Sequence, residues 1–124
     1  MWDFFVEGGI GMWPVLIFGL VLVAAAARYA FTPHPIRLRF LAVVSILLVV
    51  VSGHAMIVDV AKVLSFVSGP ERVPDADLAR FLATGLKESS RPGILGGGIL
   101  SFTLVLVAIG IYRAGLRDLD SSRR

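Results

Sequence analysis

Few side chains in this sequence could carry chemistry, and they fall into a pattern. Ser45, Ser52 and Asp59 stand seven residues apart, which puts them on one face of an α-helix. The chain around them is free of formal charge from Phe40 to Val58, so a polar stripe runs down an apolar helix. A carboxylate in or at the edge of such a helix is expensive, and it serves as a proton-binding group when it faces a bundle interior, a partner or water. Lys62 follows Asp59 by one turn, and an interfacial ion pair is the plainer reading of the same two residues. His54, about one and a half turns before Asp59, has three uses open to it. It could relay a proton, ligate a haem or pigment, or hydrogen-bond a neighbouring helix, the last being the commonest. His34 lies at the opposite end of the same segment, so the two histidines cannot share one haem.

A second group of candidates lies toward the C-terminus. Gly93, Gly97 and Ser101 recur every four residues, with Gly96 and Gly98 between them, and small residues at this spacing let helix backbones approach closely. Gly93, Gly97, Gly98 and Ser101 therefore read as a helix-packing or oligomerisation face. The hydroxyls of Ser101 and Thr103 can either line a polar path or bond back to their own backbone. Glu88 is the last carboxylate before this segment. With no cysteine in the chain, disulfides, thiolate metal sites and cysteine nucleophiles are excluded. No nucleophile with its base, metal-ligand set, phosphate loop or dinucleotide fingerprint is present, so the chain does not read as an enzyme and calls for no cofactor.

The elements that must hold these residues are membrane helices. The 124 residues are 56% hydrophobic and only 17% charged, with a mean hydropathy of +0.84, which is outside the range of soluble domains. Three charge-free stretches, Ile10 to Ala27, Phe40 to Val58 and Gly93 to Tyr112, run for 18, 19 and 20 residues. Each nearly matches the ~20 residues that a helix needs to cross a bilayer. The polar remainder is too small to cover three such helices in water. The expected fold is thus all-α, one membrane domain over 1–124. Its three transmembrane helices fall at about 10–30, 38–60 and 92–113, joined by an extracytoplasmic connector over about 61–91. Leu78, Phe81, Leu82 and Leu86 predict a short amphipathic helix from Asp75 to Ser89 within that connector, with Asp75 as its N-cap.

Charge sets the expected orientation. The first connector carries Arg28, Arg37 and Arg39 with no acid, and the tail carries Arg113, Arg117, Arg123 and Arg124 against two aspartates. The N-terminal segment holds Asp3 and Glu7 and no base, and Asp59 to Arg91 balances five bases against five acids. The positive-inside rule then places the N-terminus outside and the C-terminus in the cytoplasm of a bacterial inner membrane. Acids ahead of the first span and no basic start argue for a retained helix over a cleaved leader. Trp2 and Trp13 on one side, and Tyr29 and Tyr112 on the other, match interfacial aromatic belts. The net charge of +3 is scattered over short connectors and forms no basic face for nucleic acid.

The opening Gly8-Gly9-Ile-Gly-Met12-Trp-Pro14-Val-Leu-Ile resembles the start of the MotA/TolQ/ExbB proton-channel family, where a glycine pair, Met and Pro precede the first span. Ser101, Ala108-Ile109 and Tyr112 resemble the threonine, Ala-Ile and tyrosine pattern of that family's last helix. Gly85-Leu-Lys-Glu88 is similar to the Gly-Ile-x-Glu that leads into that helix, and Gly53 to the glycines of its second helix. The large cytoplasmic insertion between the first two spans is reduced here to about a dozen residues, His54 stands where threonine is usual, and Gly110 replaces a proline. The resemblance implies several copies around a pore and a single-span partner helix that carries a protonatable aspartate. Asp59, His54, Ser52, Ser45, Ser101 and Glu88 are then the expected proton-path groups. Two other readings stay open: a non-conducting structural subunit of a larger membrane complex, and a cofactor-binding membrane subunit that uses His54.

Overall fold

The computed structural model describes residues 11–69 and 74–122, and all of the regular structure there is helical. Four helices follow in chain order: α1 (Met12–Phe31), α2 (Pro35–Val67), α3 (Asp75–Ser89) and α4 (Arg91–Ser121). Three helices are long and apolar enough to cross a membrane: α1, α2 and the helical segment Asp75–Ser121 that contains α4. Only 17 to 33% of each apolar window is buried within the chain. Ile17, Leu20, Ile46, Val49, Ile57, Leu104 and Val105 are among the exposed side chains. In water such a surface would drive aggregation, whereas in hydrocarbon it is the solvated face.

The first turn is built by its prolines and by Arg37. α1 stops at Phe31 because Pro33 cannot continue it, and the Thr32 N–H and hydroxyl both donate to the Arg28 carbonyl at 3.0 Å. Arg37 Nη1 donates to the Thr32 carbonyl at 2.7 Å and also to the Thr32 hydroxyl, which closes the turn across its mouth. His34 caps α2, its Nδ1 accepting from the Ile36 N–H at 3.4 Å, and Pro35 takes a first-turn position whose N–H would be unused anyway.

α1 and α4 run parallel and α2 runs against both, a register fixed by close approaches at glycines. Gly11 faces Ala55, Gly19 faces Ile99, Gly93 faces Met56, Gly96 faces both Ser52 and Val15, and Gly110 faces Tyr29. Between these points Val15, Leu22, Ala26, Tyr29, Leu41, Val44 and Leu48 form the interior. Tyr29, expected at a lipid-facing belt, is instead 4% exposed, because the missing side chain at Gly110 leaves room for its ring. Tyr112 and Trp13 are exposed as a belt requires, while Trp2 lies outside the described residues. Arg113 Nη1 donates to the Ala30 carbonyl at 3.2 Å, so the arginine-rich turn and the C-terminal part of α4 share one end of the bundle.

Both later spans outrun the expected 38–60 and 92–113. At ~1.5 Å per residue the 33 residues of α2 reach roughly 50 Å, against a hydrocarbon core of about 30 Å. α3 covers the overhang. Phe81 stacks on Phe66 with centroids 5.1 Å apart, and Gly85 lies against Val63. The face that α3 turns inward is narrower than the heptad-like spacing implied, for Leu78, Phe81 and Leu82 are partly buried while Leu86 is 53% exposed. Asp75 is not the N-cap either: Pro74 holds that position and no side chain caps the helix, so Asp75 and Asp77 act through the helix dipole in the first turn. α3 ends at Ser90, where the backbone stays near-helical and Pro92 removes one N–H from the ladder.

The glycine contacts yield a paired prediction. A Cβ on Gly110 would sit 2.5 Å from the Tyr29 ring and 3.2 Å from its carbonyl oxygen, whereas one on Gly97 meets nothing within 4 Å. Gly110→Leu should lower bundle stability by about 1–3 kcal/mol through overpacking, read as thermal unfolding of monomeric protein in detergent, while Gly97→Leu should leave it unchanged. Equal behaviour of the two variants would contradict the register.

Candidate functional site

The polar stripe of α2 divides between the two environments that the bundle offers. Ser52 is 6% exposed and points its hydroxyl at the backbone of Gly96, Ser45 is partly buried one heptad below, and Asp59 is 18% exposed one heptad above. Heptad spacing separates successive members by roughly 10 Å along the axis. Fully buried Leu48 lies between Ser52 and Ser45 along α2, and no hydrogen bond joins the two hydroxyls within one subunit.

Ser52 Oγ and Thr103 Oγ1 are the buried side-chain polar atoms without a hydrogen-bond partner among the described residues. Both sit on regular helices, where a rotamer change would offer a backbone carbonyl one turn back. The register that sets Gly96 against Ser52 and Gly93 against Met56 brings Thr103 level with Ser45. The interior thus holds two orphan hydroxyls, one from each of two facing helices. A buried hydroxyl without a partner carries a desolvation penalty of about 1–3 kcal/mol.

At the other end, Asp59, Lys62 and His54 line one cleft of ≈ 510 Å³, together with Gly11, Pro14, Val50, Val51, Ala55 and Val58. Lys62 Nζ donates to Asp59 Oδ1 at 3.0 Å, and the lysine is 66% exposed. A pair so open to its surroundings contributes little, in the range of about 0–1 kcal/mol. Its effect is to neutralise the carboxylate. His54 is exposed toward the cleft and does not enter the bundle interior. No group of three His, Cys, Asp or Glu able to hold a metal occurs among the described residues.

The remaining candidates are scattered. Ser101 is exposed and donates its hydroxyl to the Gly97 carbonyl at 2.9 Å, so its bonding is satisfied on its own helix. Gly97 and Gly98 are exposed with open space at their Cα atoms, and Gly93 alone of the four-residue ridge packs within the chain. Glu88 is partly buried in the last turn of α3 and does not line the cleft. The expected proton-path set included Ser101 and left out Thr103, which is the buried hydroxyl of the two, and it gave no packing role to Gly96 or Gly110. Pro92, Gly96, Thr103 and Gly110 recur at four- and seven-residue intervals and are the buried positions of α4, a row whose spacing is visible in the sequence but whose inward facing is not.

Ser52→Ala and Thr103→Val remove the orphan hydroxyls with little change of volume. Each should leave the bundle at least as stable as wild type, by up to about 1–3 kcal/mol, because the desolvation penalty disappears. A clear loss of stability in detergent unfolding would mean that the hydroxyls hold a partner inside the bundle. No family model, curated protein or solved structure matches the chain.

Proposed function

We propose that the chain is a small oligomeric component of a bacterial inner membrane, resembling the MotA/TolQ/ExbB class, in which protons pass along polar groups between packed helices. The observation that carries this reading is the pair of buried hydroxyls, Ser52 and Thr103, in an otherwise aliphatic interior, with Asp59 on the same helix as Ser52. Polar groups at membrane depth are costly and are kept where they line a path or meet a partner. In this reading the N-terminus is outside and the C-terminus cytoplasmic, with the arginine-rich end inward as the positive-inside rule asks. Copies associate through the open strip of Gly97, Gly98 and Ser101, whose lack of bulk suits close helix approach. α3 lies at the outer surface as an interfacial helix, and a single-span partner supplies the second protonatable group.

One observation favours a second reading, a non-conducting structural subunit. Asp59 is neutralised by Lys62, and Ser101 bonds its own helix, so neither is free for proton transfer in the isolated chain.

Purified protein in liposomes with an internal pH dye and an imposed potassium diffusion potential separates the two. Conduction predicts a flux that falls about tenfold or more in Asp59→Asn and in the Ser52→Ala, Thr103→Val double variant, both still folded. With the single-span partner co-reconstituted, equal flux in all three would sink the proposed path, and an absence of flux in wild type would favour the structural subunit.

A further inference from the structure

A second cleft lies at the arginine-rich end of the bundle, between the last turns of α1 and the first turns of α2. It measures ≈ 550 Å³ and is lined by Ala24, Ala25, Arg28, Ile36, Arg37 and Phe40. None of its residues belongs to the polar stripe or to the Asp59 cleft, and nothing in the proposed function uses it.

The lining sorts by depth. Ala24 and Ala25 are small enough to leave a trough beside Phe40 and Ile36, both of which are more than half exposed. One turn deeper on the same helices, Val21 and Val43 are exposed too, so the trough opens onto hydrocarbon along its length. Its mouth carries two guanidinium groups. The Arg28 guanidinium makes no hydrogen bond or ion pair to any described residue, and Arg37 commits Nη1 to Thr32 while its other N–H groups stay unused there. No carboxylate lines the cleft, and the connector from Arg28 to Arg39 contains no acid. The N-terminal dipole of α2 and the C-terminal dipole of α1 oppose each other here, so the positive potential comes from the arginines themselves.

An occupant must therefore present an anion to the arginines and an apolar chain to the trough, at the level where hydrocarbon meets water. We infer that this cleft is a binding site for an anionic phospholipid, its phosphate held between Arg28 and Arg37 and an acyl chain laid over Ala24 and Ala25 beside Phe40. Basic recesses between membrane helices recognise lipid headgroups in this way, and arginine suits phosphate because its planar fork donates two parallel hydrogen bonds. A zwitterionic lipid has the same tails and phosphate but sets a choline cation against the guanidinium pair, which supplies the discrimination. The site depends only on the bundle lying in a bilayer. It is indifferent to orientation and to whether the chain conducts.

The test uses full-length protein reconstituted into vesicles of equal parts phosphatidylglycerol and phosphatidylcholine, released gently and weighed by native mass spectrometry. Wild type should retain phosphatidylglycerol in clear excess, and Arg28→Gln should cut that preference about fivefold, the effect of one arginine at a membrane surface. The Arg28 guanidinium has no intramolecular partner to lose, so the variant should fold. Ala24→Phe fills the trough without touching a charge and should lower bound lipid severalfold, while Arg117→Gln, outside the cleft, should behave as wild type. Equal retention of the two lipids by wild type would overturn the proposal, as would an unaltered preference in Arg28→Gln. Displacement of phosphatidylglycerol by inorganic phosphate alone would mark a free-anion site and overturn it too.

Discussion

Helices surrounded by hydrocarbon gain nothing by hiding apolar side chains from one another, because lipid is as apolar as leucine. What holds this chain as a bundle is the closeness of approach that its glycines permit. At Gly19, Gly96 and Gly110 a side chain would run into Ile99, Ser52 and Tyr29 respectively, and each omission lets a neighbour fill the space in van der Waals contact. Many such contacts, each of about 0.1–0.2 kcal/mol, replace the water-driven core of a soluble protein. The parallel packing of α1 on α4, and the antiparallel return of α2, are consequences of where these gaps fall.

The same constraint decides which polar groups can be inside. Backbone groups are satisfied within each helix, as they must be in lipid. Side-chain hydroxyls can satisfy themselves likewise, and Ser101 does so. Ser52 and Thr103 do not, although both occupy tightly packed positions where an aliphatic residue would fit. That contrast, between a hydroxyl at the surface that is internally bonded and two in the interior that are not, separates residues that are merely tolerated from those that need an explanation. The charged groups follow a simpler rule. Asp59 and Lys62 sit where α2 leaves the bundle, and the arginines of the first turn and of α4 gather at the other end.

The membrane architecture was legible because it rests on length and composition, which tertiary packing cannot override. The first turn was legible from Pro33 and Pro35. Less visible were the ends of α2 and α4, since helix continues past the charge-free stretch wherever a neighbour covers it, as α3 does at Val63 and Phe66. Helix phase was the hardest to read. In α4, Gly93, Gly97 and Ser101 form one small-residue row and Gly96, Thr103 and Gly110 another, roughly a third of a turn apart. Sequence spacing alone does not say which row meets α1 and α2 and which is left outside. The Tyr29 ring shows the same ambiguity, since an aromatic near a helix end suits either a lipid belt or a glycine gap.

The phase of α4 is therefore the point on which the bundle, the orphan hydroxyls and the open glycine strip all depend. Because the chain has no cysteine, single cysteines can be placed along α4 without background and spin-labelled in bilayers. Their collision rates with dissolved oxygen then report lipid exposure residue by residue. The bundle predicts high rates at Phe102, Val105 and Ile109 and a minimum at Thr103, with Leu106 and Val107 intermediate. A maximum at Thr103, or a flat profile across these positions, would contradict it.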